Sequence, residues 1–465
     1  MTHTFHTDDT ICAPATTGGA ITVIRVSGSR AFDVINKLFK PVYKTANFKK
    51  LESHKVVLGY IHDGKKQIDQ VLATKFAGQK SYTGEDVVEL SCHGSQYIVQ
   101  EVLRMLIDNK LRMARPGEFT LRAFMNGKMD LSQAEAVADL VAANSKASHT
   151  LAFRQMRGHF SKNIQELRQQ LVEFASLIEL ELDFSEEDVE FASRKKLEDL
   201  LKKIKAEVSR LINSFAKGNV LKHGIPVAII GKPNVGKSTL LNAIFNEEKA
   251  IVSEIPGTTR DAIEDTIIIE NIAFRFVDTA GLRDSGDEIE NIGMKKTMEK
   301  VQQAAIVLYL FDVSATSLEE IRETIEDFRK NIDDKDKKLI LIANKIDLMQ
   351  EMPHHFKNLV ELETIFVSAK RKENIQMLTE SLLKSAALGA EEENQTIVTN
   401  SRHYEALAQT LEAIKQVKKG LNNNLSGDLL AVDLRTALYH LGTITGEVTN
   451  DEILGNIFEK FCIGK

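Results

Sequence analysis

At 465 residues, 43% hydrophobic and 27% charged, the chain is too long for a single core and has the composition of a globular protein of two to four domains. A net charge of −6 excludes the broad basic footprint of an autonomous nucleic-acid binder, so any RNA substrate is expected to find much of its phosphate contact on a partner. Three cysteines, Cys12, Cys92 and Cys462, are too few and too scattered for a disulfide framework or a C-x-x-C metal site, which fits a reducing cytosol.

In chain order, the opening "MTHTFHTDDTICAPATTGG" lacks a basic n-region and an apolar h-region, and no run of about 18 apolar residues follows, so a cytoplasmic protein that stays out of membranes is expected. Residues 1–125 read as an α+β domain. Its strand candidates are "ITVIRV" (21–26), "HKVVLGYI" (54–61), "VLATKFA" (71–77) and "DVVELSC" (86–92), with helices at 30–39 and 97–107. From Asp130 to Lys217 there is no proline and one glycine, Gly158, in a tract rich in Ala, Leu, Glu, Lys and Gln; residues 126–220 are therefore the first part of a helical domain. Strands and helices alternate over 221–382, with strand candidates at 225–230, 266–270, 273–278, 305–312, 338–344 and 364–368, the pattern of a doubly wound α/β unit. Helical signal resumes over 383–465, so the economical arrangement is one helical domain interrupted by an inserted α/β domain.

"GKPNVGKST" (231–239) follows a strand and opens a helix, the context that a phosphate-binding loop requires. Backbone N–H groups from Asn234 through Val235, Gly236 and Lys237 to Ser238 can wrap phosphates, with Thr239 next in the helix; Lys237 adds a point charge and the Ser238 hydroxyl can reach Mg²⁺. "DTAG" supplies Asp278 for Mg²⁺ through water, then Thr279, Ala280 and Gly281, whose N–H can sense a γ-phosphate. "NKID" places Asn344, Lys345 and Asp347 for guanine, since a carboxylate accepting two N–H donors rejects adenine, and "SAK" adds Ser368 and Ala369. Four elements in this order, each at a strand end, predict a P-loop GTPase (G) domain. Thr258 and Thr259 in "EIPGTTRD" are both candidates for closing over Mg²⁺ and the γ-phosphate. Where many GTPases carry a water-orienting Gln after "DTAG", this chain has Leu282, so catalysis falls to another group; Asp284, Asp287, Glu288 and Glu290 are the nearest acids, each equally readable as part of a solvated face.

With "DTICAPAT", "SYTGEDVVEL", "RPGEFTLRAFMNGKMDLSQAEAVADL", the inserted G domain and the terminal "FCIGK", the chain resembles the MnmE (TrmE) family of tRNA-modification GTPases over nearly its whole length. The resemblance implies an N-terminal folate-binding domain that dimerises, a helical domain closed by the C-terminus, and a potassium-stimulated GTPase. It makes Asn234 the side-chain ligand of K⁺, joined by the backbone of Ser253, Ile255 and Thr258, with Mg²⁺ on Ser238 and Thr259. It makes Glu290 the acid that positions water. For folate it points to Arg25, Glu89, Lys128 and Lys465, with Cys462 approaching from the tail as a catalytic thiol; Arg25 and Lys128 are each open to an ordinary ion-pair reading, and Cys92 reads as a core thiol. One loop departs from the family's A-T-P-P-G-[RK]-G pattern: "PATTGGAITVIRVSG" (14–28) lacks the proline pair and the basic residue.

The implied activity is addition of a carboxymethylaminomethyl-type group to C5 of the wobble uridine of certain tRNAs. The one-carbon unit would come from 5,10-methylenetetrahydrofolate, with 5-formyltetrahydrofolate as an analogue, and a homodimer would act with an MnmG (GidA)-type flavoprotein, in a heterotetramer, that carries FAD and uses NADH. The alternative is a ribosome-assembly switch that binds RNA and only hydrolyses GTP, although no tandem GTPase domain or basic RNA module is present. Cys462-Ile463-Gly464-Lys465 has the length of a prenylation box, but Gly464 is not aliphatic and Lys465 is not a usual last residue, which argues against a lipid anchor.

Overall fold

The computed structural model describes residues 9–16, 18–43, 48–64, 66–183, 194–246, 251–252, 265–276, 301–302, 304–331, 337–349, 363–387, 396–423, 425–449, 451–459, 461 and 464. The chain divides into two compact units: Met1–Val141 with Phe153–Val208 and Glu405–Lys465, and Ala142–Ala152 with Ser209–Tyr404.

The first unit opens with β1 (Ile11–Pro14), β2 (Ile21–Ser27), α1 (Ala31–Leu38), β3 (Phe39–Pro41), β4 (Lys55–His62), β5 (Gln67–Phe76), β6 (Val87–His93), α2 (Gln96–Asp108) and β7 (Arg112–Met113). The seven strands form one sheet in the order β3-β4-β5-β6-β2-β1-β7, antiparallel except for β1 against β7. Side chains alternate across a pleated strand, so each sequence splits into a covered and an open face. Ile24, Val26, Val71, Ala73, Val88 and Leu90 enter the core, closed over by Val34 and Ile35 of α1 and Val102 and Leu106 of α2. The opposite face carries Ile21, Val56, Leu58 and Leu72, all exposed.

Helices α3 (Glu118–Met125), α4 (Leu131–Ala142), α5 (Lys146–Met156), α6 (His159–Asp183) and α7 (Arg194–His223) follow, so the described residues of the breaker-poor tract are largely helical, as expected, with Gly158 in the turn between α5 and α6. Leu121, Leu131 and Val137 pack with Leu454, Phe458 and Phe461 from the far end of the sequence.

The second unit is built on β8 (Ile225–Ile230), α8 (Lys237–Phe245), β9 (Ile251–Val252), β10 (Asp265–Ile269), β11 (Ile272–Phe276), β12 (Ile306–Asp312), α9 (Leu318–Asn331), β13 (Lys338–Asn344), β14 (Thr364–Phe366) and α10 (Ile375–Ala387). Its sheet runs β14-β13-β12-β8-β11-β10-β9, parallel from β14 to β11 and antiparallel beyond. "IVLYLFD" is buried almost without alternation, the mark of a strand covered on both faces. Leu240 and Ile244 of α8 and Leu378 and Leu382 of α10 pack on one side, while Ile321 and Ile325 of α9 pack on the other, completing the doubly wound arrangement. Helices α11 (Ser401–Asn422), α12 (Gly427–Thr445) and α13 (Asp451–Phe458) end the chain, α12 packing along α6.

One buried charge network ties the first unit together. Arg122, 1% exposed, donates from Nη1 to the Asp9 carbonyl at 2.7 Å and to Glu85 Oε1 at 3.1 Å, and from Nη2 to Glu118 Oε1 at 3.2 Å and to the Asp9 carboxylate. Arg112 shares two of these acids, reaching Asp9 Oδ2 at 2.7 Å and Glu118 Oε1 at 2.6 Å. Burial lifts the Asp9 and Glu118 carboxyls, but hydrogen bonds from Arg112, joined by Arg122 at Asp9 and by the Arg115 N–H at Glu118, outweigh it and hold both below the ordinary range. Arg122→Leu is expected to destabilise the first unit by about 3–5 kcal/mol in guanidinium denaturation, because three acids lose their shared cation. In the wild type both carboxyls are depressed in the folded state, so their contribution is complete above the ordinary values of 3.8 and 4.5 and is lost as pH falls through the lower folded values; stability measured against pH should decline there.

Candidate functional site

Strand β8 delivers the chain to a loop whose backbone turns left-handed at Asn234 (φ 61°) and Gly236 (φ 99°) before α8 begins at Lys237. A Cβ on Gly236 would lie 2.5 Å from Asn344 Nδ2, so only glycine leaves room for what Asn344 does. That side chain, 2% exposed, donates from Nδ2 to the Val235 carbonyl at 2.8 Å and accepts at Oδ1 from the Ala369 N–H at 3.0 Å. One amide therefore joins three segments that are far apart in sequence. Lys237 Nζ donates to the carbonyls of Gly231 at 2.8 Å and Lys232 at 2.7 Å, which suspends an ammonium across the loop beside the N-terminus of α8. Ser238 and Thr239 occupy the first turn of that helix, whose leading N–H groups favour an anion.

At the neighbouring strand ends, Lys345 is left-handed (φ 68°) and its ammonium meets Asp312 Oδ2 at 2.8 Å. Asp312 was not singled out from the sequence; the signal available was its place at the end of β12, in register with Asn344. Asp347 Oδ1 accepts from the Ser368 hydroxyl at 2.6 Å, and Ser368 Oγ in turn accepts from the Arg371 N–H at 3.1 Å. The Ser368 hydrogen bond holds the Asp347 carboxyl below its ordinary range, so it is an anion at neutral pH and can accept only. The structure thus brings Asn234, Val235, Gly236, Lys237, Ser238 and Thr239 to one strand end and Asn344, Lys345, Asp347, Ser368 and Ala369 to those beside it. Ser253, Ile255, Thr258, Thr259, Asp278, Thr279, Ala280, Gly281, Leu282 and Glu290 lie outside the described residues.

A second group of candidates sits on the open face of the first unit's sheet. Arg25 and Glu89 are cross-strand partners on β2 and β6, with Arg25 Nε donating to Glu89 Oε1 at 2.9 Å and Nη2 lying 2.8 Å from the same oxygen. They form one ion pair, the reading that the sequence left open for Arg25. The Arg25 guanidinium lies 5.4 Å from the ring centroids of Tyr82 and Phe119, and Tyr82 hydrogen-bonds Thr120 at 2.9 Å. Its remaining terminal nitrogen, Nη1, donates to the Gly464 carbonyl at 3.2 Å. Gly464 is left-handed (φ 101°), and a Cβ there would come within 2.2 Å of the Pro14 carbonyl, so the tail is seated against β1 by a residue that has no side chain. Lys128 Nζ donates to the Gln79 carbonyl at 2.6 Å, at the start of the segment that carries Tyr82. Burial pushes the thiols of Cys12 and Cys92 up to about 11, and Cys92 Sγ donates to the Thr22 carbonyl, so both are core thiols. Cys462 and Lys465, on either side of Gly464, lie outside the described residues.

Two family profiles match the chain: GTP-binding protein TrmE N-terminus over residues 10–128 and MnmE helical domain over residues 131–462. The tRNA modification GTPase MnmE of Christiangramia forsetii is 54% identical over 98% of this chain and 99% of that protein. The protein of the same name from Flavobacterium psychrophilum is 52% identical over the same shares. The solved G domain of the T. maritima FeoB iron transporter is 23% identical, covering 35% of this chain and 98% of its own, with a TM-score of 0.26. Sequence, family profiles and full-length relatives agree that this chain belongs to the MnmE family of tRNA modification GTPases.

Proposed function

We propose that this GTPase, as a homodimer working with an FAD-carrying, NADH-using MnmG (GidA)-type flavoprotein in a heterotetramer, installs a carboxymethylaminomethyl-type group at C5 of the wobble uridine of certain tRNAs. The observation that supports this reading is the seating of Gly464 on Arg25 and Pro14, beside the Arg25–Glu89 pair. Burial holds the thiols of Cys12 and Cys92 protonated in the core, and Cys462, which the family resemblance makes the catalytic thiol, is assigned the one-carbon chemistry. Arg25, Glu89, Lys128 and Lys465 bind 5,10-methylenetetrahydrofolate: Glu89 accepts from the pterin, Lys128 and Lys465 meet the glutamyl carboxylates, and Arg25 locks the tail. The homodimer forms through the sheet's open face, where Val56, Leu58, Leu72 and Ile21 are 56%, 36%, 43% and 64% exposed. Burying such side chains against a second copy is favourable, and they share a face with Arg25 and Glu89.

In the G domain, Asn234 to Ser238 wrap the phosphates of GTP, Asp347 accepts from guanine, and Asn344 holds the two sides of the site together. The available donors are hydroxyls, carbonyls, carboxylates and one amide, an all-oxygen set that suits Mg²⁺ on Ser238 and Thr259 and K⁺ on Asn234 with Ser253, Ile255 and Thr258. Glu290 positions the attacking water in place of the Gln that Leu282 replaces. No helix among the described residues is long and apolar enough to cross a membrane, and the proposed work on tRNA is assigned to the cytoplasm.

Cells that lack this chain should lose the C5-modified wobble uridine by tRNA nucleoside mass spectrometry, and regain it with wild type but not with Cys462→Ser; an unchanged profile in the deletion would leave only the RNA-binding switch. Asn344→Ala should weaken GTP binding at least about tenfold by equilibrium fluorescence, the cost of a lost buried bracket of 1.5–3 kcal/mol. Asp347→Asn should erase about 10²-fold or more of the preference for GTP over ATP, because an amide presents a donor where guanine needs an acceptor. GTP turnover equal in K⁺ and Na⁺ would remove the cation role given to Asn234.

A further inference from the structure

Helices α7 and α11 flank a shallow groove, partly open to solvent, in the first unit. Its floor is apolar: Leu201 and Leu421 are 2% and 7% exposed. Around that floor stand Lys202, Lys205 and Lys418 with a single acid, Glu198. The lysines are there by helical spacing. Positions 198, 201, 202 and 205 share one face of α7, and Lys415 and Lys419, exposed, lie within one turn of Lys418 on α11. Exposed i,i+3 pairs join Lys202 to Asp199 at 3.4 Å and Lys415 to Glu412 at 3.1 Å, and such pairs are readily exchanged for another anion. Among the described residues, neither Lys205 nor Lys418 has a carboxylate partner. A chain of net charge −6 has thus concentrated cations against a dry floor, where lysine stems lie along apolar surface and keep their ammonium groups in water.

We propose that this groove is a docking site for the phosphate backbone of the tRNA substrate. The proposal rests on tRNA being the substrate of the family. Ammonium groups on flexible stems serve phosphates as point charges and read no sequence, so the groove would hold the RNA in register while the modified base is selected elsewhere. An acidic segment of a partner protein is the competing occupant. Three lysines against one acid, with Asn422 the one neutral polar side chain at the groove, suit a repeating backbone charge better than a particular peptide.

The test measures binding of the full-length protein to an unmodified tRNA transcript across a series of salt concentrations. Lys205→Gln/Lys418→Gln should bind about tenfold more weakly near 0.1 M salt, with the slope of log K against log salt shallower by about 2. Lys205→Arg/Lys418→Arg, which keeps both charges, should restore both values. Lys37→Gln/Lys110→Gln, the same loss of charge on exposed positions of α1 and just after α2, should keep the wild-type slope. An unchanged slope in the groove variant, or an equal loss in the Lys37/Lys110 control, overturns the proposal. Retained tRNA binding with lost binding of the flavoprotein overturns it in favour of an acidic protein partner. A wild-type protein with no salt-dependent tRNA binding overturns it as well, and a wobble uridine still modified in cells would show that the family assignment survives its failure.

Discussion

The first unit depends on a guanidinium that water cannot reach. Bringing Arg122 into the interior costs several kcal/mol of lost hydration, and that cost is offset only because Asp9, Glu85 and Glu118 converge on it from three parts of the sequence. Asp9 leads into β1, Glu85 belongs to the segment that presents Tyr82, and Glu118 starts α3. Each of those segments then carries part of the surroundings of Arg25: Pro14 under the tail, the Tyr82 ring beside the guanidinium, and Phe119 next to it. A buried ion network is a weak source of net stability compared with packed hydrocarbon. What it provides here is a constraint on how these three segments can be arranged, since displacing any of them leaves charges unpaired in the interior.

The second unit solves a comparable problem with a neutral group. Asn344 uses one donor and one acceptor to fasten a phosphate-loop carbonyl to an N–H on the loop after β14, and its burial makes both bonds costly to break. Lys345, immediately after it, reverses the backbone and pairs with Asp312, so the strand end that holds the loops together also fixes a cation and an anion beside them. The residues proposed for nucleotide recognition thus also set the loop geometry, and a change that loosens one loosens the other.

Local chemistry was legible in the sequence and long-range pairing was not. The phosphate loop, "NKID" and "SAK" are contiguous motifs whose geometry is set within a few residues, and they appear where strand ends put them. The longer strands β2, β4, β5 and β6 and the helices over 131–223 were also readable, because apolar alternation and a lack of breakers extend over many residues. Strands β1, β3 and β7, of four, three and two residues, carry too little pattern to be seen alone. The Arg25–Glu89 pair depends on β2–β6 register across 64 residues, and the Arg122 network on contacts up to 113 residues apart; nothing in local spacing encodes either. For the same reason Asp312 escaped notice until β12 was laid beside β13.

The first unit's sheet ends in two very short strands, β3 and β7, of three and two residues. Strands of that length expose few unpaired N–H and C=O groups, so β3 and β7 are poor templates for strand-by-strand extension by another chain. At those two edges backbone pairing, which is indifferent to sequence and leads to fibres, finds little to start on, whereas the sheet's open face leaves side-chain chemistry to decide what fits.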